Sequence, residues 1–146
     1  MGSEMCIRDS IYTSVLVTEL TPQNAFDTSV LSVKVCRQFG ITGRVFANRQ
    51  QALAITEGPE DIVARYFESV KQDPLAGNNL LHVQRPIQFR EFQDFSVWLN
   101  LGQDFPFDLN VRELTKESLK EAWPENLSAK LRIMADAYLT GDMLAA

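Results

Sequence analysis

Two helix-patterned stretches, each entered through a proline and closed by a chain breaker, alternate with runs rich in β-branched and aromatic residues. That order leaves few ways to build a core. Thr21-Pro22 supplies an N-cap and a proline suited to the first helical position, and Gly40 supplies a stop, so a helix is expected over about 21–39. Phe26, Val30, Val33 and Phe39 mark its apolar side. Gly58-Pro59-Glu60-Asp61 opens a second helix, with acids in the first turn where the helix dipole favours negative charge. Ile62, Val63, Tyr66, Phe67 and Val70 form its stripe, and Pro74 ends it. Strands are expected at 11–17, at 45–47 and 52–57 as a hairpin around Asn48-Arg49-Gln50, and at 80–84 and 92–99 around a turn at Arg85-Pro86. The order β-α-β-β-α-β-β reads as an α/β (α+β) fold, ferredoxin-like with one added strand. It implies a single sheet of five strands with two helices on one face.

The face left bare needs a cover. After Asp104-Phe105-Pro106 the pattern turns helical, with Leu114 and Leu119 flanking an N-cap at Thr115 as a hydrophobic staple does. Pro124 separates this short helix from a longer one with Leu127, Leu131, Met134 and Tyr138 on one side and Gly141 as its stop. The chain thus divides into a segment at 1–10, a domain at 11–100 and a C-terminal helical cap at 101–146. Met5-Cys6-Ile7-Arg8-Asp9-Ser10 resembles the translation of a sequencing adapter. Residues 1–10 are therefore expected to be non-native or disordered, and Cys6 is set aside.

Charge narrows the partners. With 14 basic against 19 acidic residues the net charge is −5, which repels nucleic acid and anionic membrane. No apolar run approaches the ~20 residues of a spanning helix, and no leader pattern is visible, so a cytoplasmic protein is expected. Two cysteines make neither a disulfide framework nor a thiolate metal site, so no metal is expected. His82, the one histidine, has no acidic or cysteine neighbours in its strand and reads as a packing residue. Trp98 and Trp123 read as packing residues too. No nucleophile–base pair or glycine-rich phosphate loop stands out, so no enzyme is expected.

Three segments resemble the BLUF family of flavin-based blue-light sensors. They are Tyr12-Thr13-Ser14 in the first strand, Gly40-Ile41-Thr42-Gly43 with Glu57-Gly58 around the hairpin, and Pro86-Ile87-Gln88-Phe89-Arg90-Glu91-Phe92-Gln93-Asp94-Phe95-Ser96. The resemblance covers residues 11–98, and the tail resembles the two-helix cap of short members. It implies a flavin between the two helices and puts Tyr12 on the family's electron-donating tyrosine. The family's glutamine falls on Ala54, its asparagine on Cys36, its Arg-His pair on Leu75 and Ala76, and its tryptophan and methionine on Phe95 and Val97. Four polar flavin contacts are thereby lost. At about 1–3 kcal/mol each they imply a loss on the order of 4–8 kcal/mol, or about three to six decades of affinity. The expectation is a BLUF-like interaction domain with no cofactor, acting on a protein partner or as a homo-oligomer. The alternative is an FAD- or FMN-binding photoreceptor with an altered site.

Overall fold

The computed structural model describes residues 7–108 and 110–139. In chain order they form β1 (Ile7–Leu16), α1 (Pro22–Gln38), β2 (Thr42–Ala47), β3 (Gln51–Pro59) and α2 (Glu60–Lys71). There follow β4 (Ala76–Ile87), β5 (Phe95–Leu99), β6 (Val111–Glu113), α3 (Leu119–Ala122) and α4 (Ala129–Tyr138). The sheet order is β4-β1-β3-β2-β5-β6. The first four strands in that order pair antiparallel, whereas β5 joins β2, and β6 joins β5, in parallel. The mixed α/β, ferredoxin-like class expected from the sequence is the one observed, with six strands in place of five.

The helix boundaries follow the local chemistry. Thr21 Oγ1 accepts the Asn24 N–H at 3.1 Å, and the chain leaves α1 through Gly40 at φ +73°. The buried side of α1 is Ala25, Ser29, Val33 and Cys36, rotated from the expected stripe, and Phe39 is about half exposed. Small residues point inward there because the helix lies close over β5. Gly43, at φ +146°, sits where β2 crosses β3 so closely that a Cβ would lie 1.8 Å from the Ile55 carbonyl oxygen.

Strand alternation divides the core in two. On one face Ala47, Phe95, Val97 and Leu99 pack beneath Ala25, Val33 and Cys36 of α1. On the other face Ile11, Phe46, Leu53, Ile55 and Trp98 pack against Trp123, Leu131 and Ala135, so the C-terminal helices cover the second face as expected. Arg44 ties the cap down by donating to the Ala122 carbonyl at 2.8 Å. Thr115 and Ser118 cap each other reciprocally, Oγ1 to N–H at 2.9 Å and N–H to Oγ at 2.8 Å.

Three boundaries differ from the sequence reading. Residues 7–10, set apart with the first ten, belong to β1 and pair on both sides, with Asp9 and Ser10 buried. β4 runs through Arg85-Pro86, since on an edge strand a proline nitrogen can face outward without breaking a ladder bond. β5 starts at Phe95 because the Phe92 N–H is taken by Glu57, at 2.9 Å, and not by a neighbouring strand. Residues 1–6 with Cys6, the Tyr138 side chain and Gly141 lie outside the described residues.

Candidate functional site

The helix-facing side of the sheet is floored by small side chains. Across the β1–β3 pairing Tyr12 stands opposite Ala54 and Ser14 opposite Ala52, and beyond them Val45 pairs with Val97 and Ala47 with Leu99. With α1 over β5 and α2 over β1, β3 and β4, a cleft of about 200 Å³ stays open above those alanines. Its wall includes the hydroxyl-bearing Tyr12, Ser14, Ser29, Ser32 and Tyr66, and Asp73 stands at its edge. None of the described residues lining it is basic.

The expected site residues separate into two groups. Tyr12, Cys36, Ala54, Phe95 and Val97 are all buried on the helix-facing side, and of these Tyr12, Ala54 and Val97 line the cleft. Leu75, 41% exposed, and Ala76, half-buried, lie at the start of β4 and do not line it. Tyr12 packs edge-on against Phe67 at a centroid distance of 4.8 Å. Burial, helped by Tyr66 and Cys36, holds its phenol well above the usual tyrosine range, so the hydroxyl keeps its proton. Cys36 does not stand free. Its thiol meets the Tyr66 hydroxyl, which Ser32 also contacts, and burial pushes the thiol up to about 11. The position that resembles the family's asparagine thus pins α1 to α2. Sequence reading placed Tyr66 in the core stripe and missed this contact.

The lining fits a flavin nucleotide poorly. A cleft of about 200 Å³ is smaller than the ~300–1,000 Å³ of ordinary small-molecule sites. Ala54 stands opposite Tyr12, the amides of the lining, Asn48, Gln50 and Gln51, lie at the β2–β3 turn, and Asp73 puts an anion at the edge. A shallower, more open hollow of about 340 Å³ adjoins at the β2–β3 turn, between Glu19, Arg49, Asn100 and Gly102. Arg49, the cation there, is engaged by the Leu20 carbonyl at 2.6 Å and by Glu19 at 3.2 Å.

A second cluster lies on the capped face, and the sequence reading did not assemble it. Asp9, Glu57 and Glu91 bring carboxylate oxygens within 4.8 Å of one another, with Arg85 among them. Asp9 falls within the first ten residues that the sequence sets apart, and Glu57 stands out in the sequence only as part of the Glu-Gly pair. His82, read as a packing residue, shares a 2.7 Å hydrogen bond with Thr13 Oγ1.

Comparison with known proteins follows the same outline. A family model described as sensors of blue-light using FAD (BLUF) matches residues 7–98. The structure titled "BlrP1 BLUF" superposes with a TM-score of 0.66 at 15% identity, over 91% of this chain and 90% of that one. BlrP1 of Klebsiella pneumoniae, in its pH 8.0 calcium/cyclic-diGMP complex, gives 0.66 at 17% identity over 88% of this chain and 33% of that one. This chain therefore spans about a third of that protein's length. BlrB, a BLUF protein in its dark state, gives 0.57 at 19% identity over 94% and 88%. At such identities the likeness establishes the fold alone. No sequence among curated proteins matches the chain.

Proposed function

The chain belongs to the BLUF family, sensors of blue light using FAD, and from that membership we propose that it retains the family's signalling scaffold but works without flavin. It acts through contact with a protein partner or with a second copy of itself, and catalyses no reaction of its own. The observation that carries this reading is the methyl of Ala54, the side chain that faces Tyr12 across the β1–β3 pairing. A methyl offers nothing to hydrogen-bond a flavin ring and nothing to rearrange after excitation. The small cleft, its lack of basic residues and the engagement of Cys36 by Tyr66 support the same reading. The protein works in the cytoplasm on this account. Among the described residues no helix is long and apolar enough to cross a membrane.

One observation favours a second reading, an FAD- or FMN-binding photoreceptor with altered contacts. The cleft is not filled, and Tyr12 is on its wall. Expression in riboflavin-supplemented cells followed by gel filtration separates the two. A colourless protein that releases no fluorescent flavin on denaturation is expected, and a yellow protein with stoichiometric flavin overturns the proposal. The variant Cys36→Asn/Ala54→Gln/Leu75→Arg/Ala76→His, run beside it, should retain more flavin than the parent.

A further inference from the structure

Asp9 and Glu57 are direct partners across the β1–β3 pairing, and both are fully buried. Glu91, in the β4–β5 connection, adds a third carboxylate. One guanidinium serves them. Arg85 Nε donates to both oxygens of Asp9, at 3.0 and 2.9 Å, and its terminal nitrogen donates to Glu91 at 3.1 Å. Glu57 instead accepts the backbone N–H groups of Glu91, at 2.9 and 3.1 Å, and of Phe92, at 2.9 Å. The other charges nearby are spent elsewhere. Arg44 of β2 binds Asp94, and Arg90 binds the Gly40 carbonyl and Thr42 Oγ1. From α4 comes its N-cap, Ser128, whose N–H and hydroxyl donate to Glu91 at 2.6 and 3.2 Å.

Three ionised carboxylates and one guanidinium would leave two uncompensated negative charges in a site withdrawn from water. Burial makes such charge costly, and neighbouring carboxylates respond by retaining a proton. We infer that the Asp9–Glu57 pair retains one proton and that this proton gates the docking of α4, making the cluster a proton-dependent latch between sheet and cap. With the proton in place, Glu57 fixes the N–H groups of Glu91 and Phe92, and Glu91 is thereby aimed at the first turn of α4. Loss of the proton to solvent adds a second negative charge beside Glu91 and pushes the connection and α4 off the sheet.

The titration supports the geometry. Burial raises Glu57 to about 7, against the hydrogen bonds from Phe92 and Glu91 and with Asp9 and Glu91 adding to the rise; burial raises Asp9 too. A folded-state pKa above the ordinary carboxyl value gives stabilisation that is complete below about 4.5 and is lost as pH rises toward 7. The opening constant of α4 should therefore climb about 15-fold between pH 5.5 and 7 and level off above about 7.5.

The test is hydrogen exchange of the peptide over residues 128–139 in the full chain from pH 5.5 to 8.5, corrected for intrinsic rates. In the wild type the corrected opening constant should climb by that amount. In Glu57→Gln it should stay flat at its low-pH value, because the amide oxygen can accept the same two N–H groups and the amide has no charge to titrate. Asp9→Asn, which removes a negative charge that helps raise Glu57, should show a smaller rise. A flat wild-type profile, or a wild-type rise unchanged in either variant, overturns the latch.

Discussion

Replacing Arg85 with alanine removes the one cation that, among the described residues, reaches the buried acids of the capped face. Asp9 is 0% exposed and receives two hydrogen bonds from Arg85, and Glu91 receives a third. Breaking a buried ion pair from one side costs about 3–5 kcal/mol. The Arg85 side chain is 26% exposed, so solvent screens part of the pair and the lower end applies, about 3 kcal/mol at pH 7. The loss must also depend on pH in a fixed direction. Burial already raises Asp9 above its ordinary value with Arg85 in place, and without the guanidinium it rises further. A raised carboxyl contributes most below its unfolded pKa and loses that contribution as pH climbs through the folded value. The cost of the substitution should therefore be smaller at pH 5 than at pH 7. Urea unfolding followed by the emission of the buried Trp98 and Trp123 reads both numbers. With a urea slope of about 1–3 kcal/mol/M the midpoint at pH 7 should fall by roughly 1–3 M. A loss under about 1 kcal/mol at pH 7, or one equal at the two pH values, refutes the reasoning.

Leu131→Ala removes a fully buried side chain where α4 meets Ile11 and Leu53, and should cost about 3 kcal/mol in the same urea experiment. Gly43→Ala forces a Cβ onto the Ile55 carbonyl at a φ that L residues rarely adopt, and thermal melting should show a loss of about 3 kcal/mol or more, equivalent to about 10 °C. With its thiol pushed up to about 11, Cys36 is ionised to about one part in a thousand at pH 8. Maleimide labelling mapped by mass spectrometry should find Cys36 unmodified in the native protein and modified in urea.

The fold was readable wherever a segment carried its own punctuation. Thr21-Pro22, Gly40 and Gly58-Pro59 each bound an element within a residue or two of where the sequence put it, because caps and breakers act locally. β6 was not readable. Val111-Arg112-Glu113 has one apolar residue and exists as a strand only because β5 offers a parallel edge beside it. The rotation of the α1 stripe has the same kind of cause, since packing close to the sheet selects Ala25 and Ser29 over the larger Phe26 and Val30. At the site, Tyr12, Cys36 and Ala54 share the helix-facing side of the sheet, as strand register and helix period require. The resemblance could not locate Leu75 and Ala76 relative to the cleft, because their position depends on how the chain leaves α2. The carboxylate cluster joins four segments distant in sequence, and only β1–β3 register and the path after Pro86 bring Asp9, Glu57, Arg85 and Glu91 together.

The central claim, that this member of the family works without its flavin, is tested most directly by titrating FAD, FMN and riboflavin into the purified protein in the dark. Quenching of flavin fluorescence gives the dissociation constant. Loss of four polar contacts, on the order of 4–8 kcal/mol, predicts binding no tighter than about millimolar for all three. A dissociation constant of about a micromolar or below for any of them, with a light-induced change in the bound spectrum, contradicts the account.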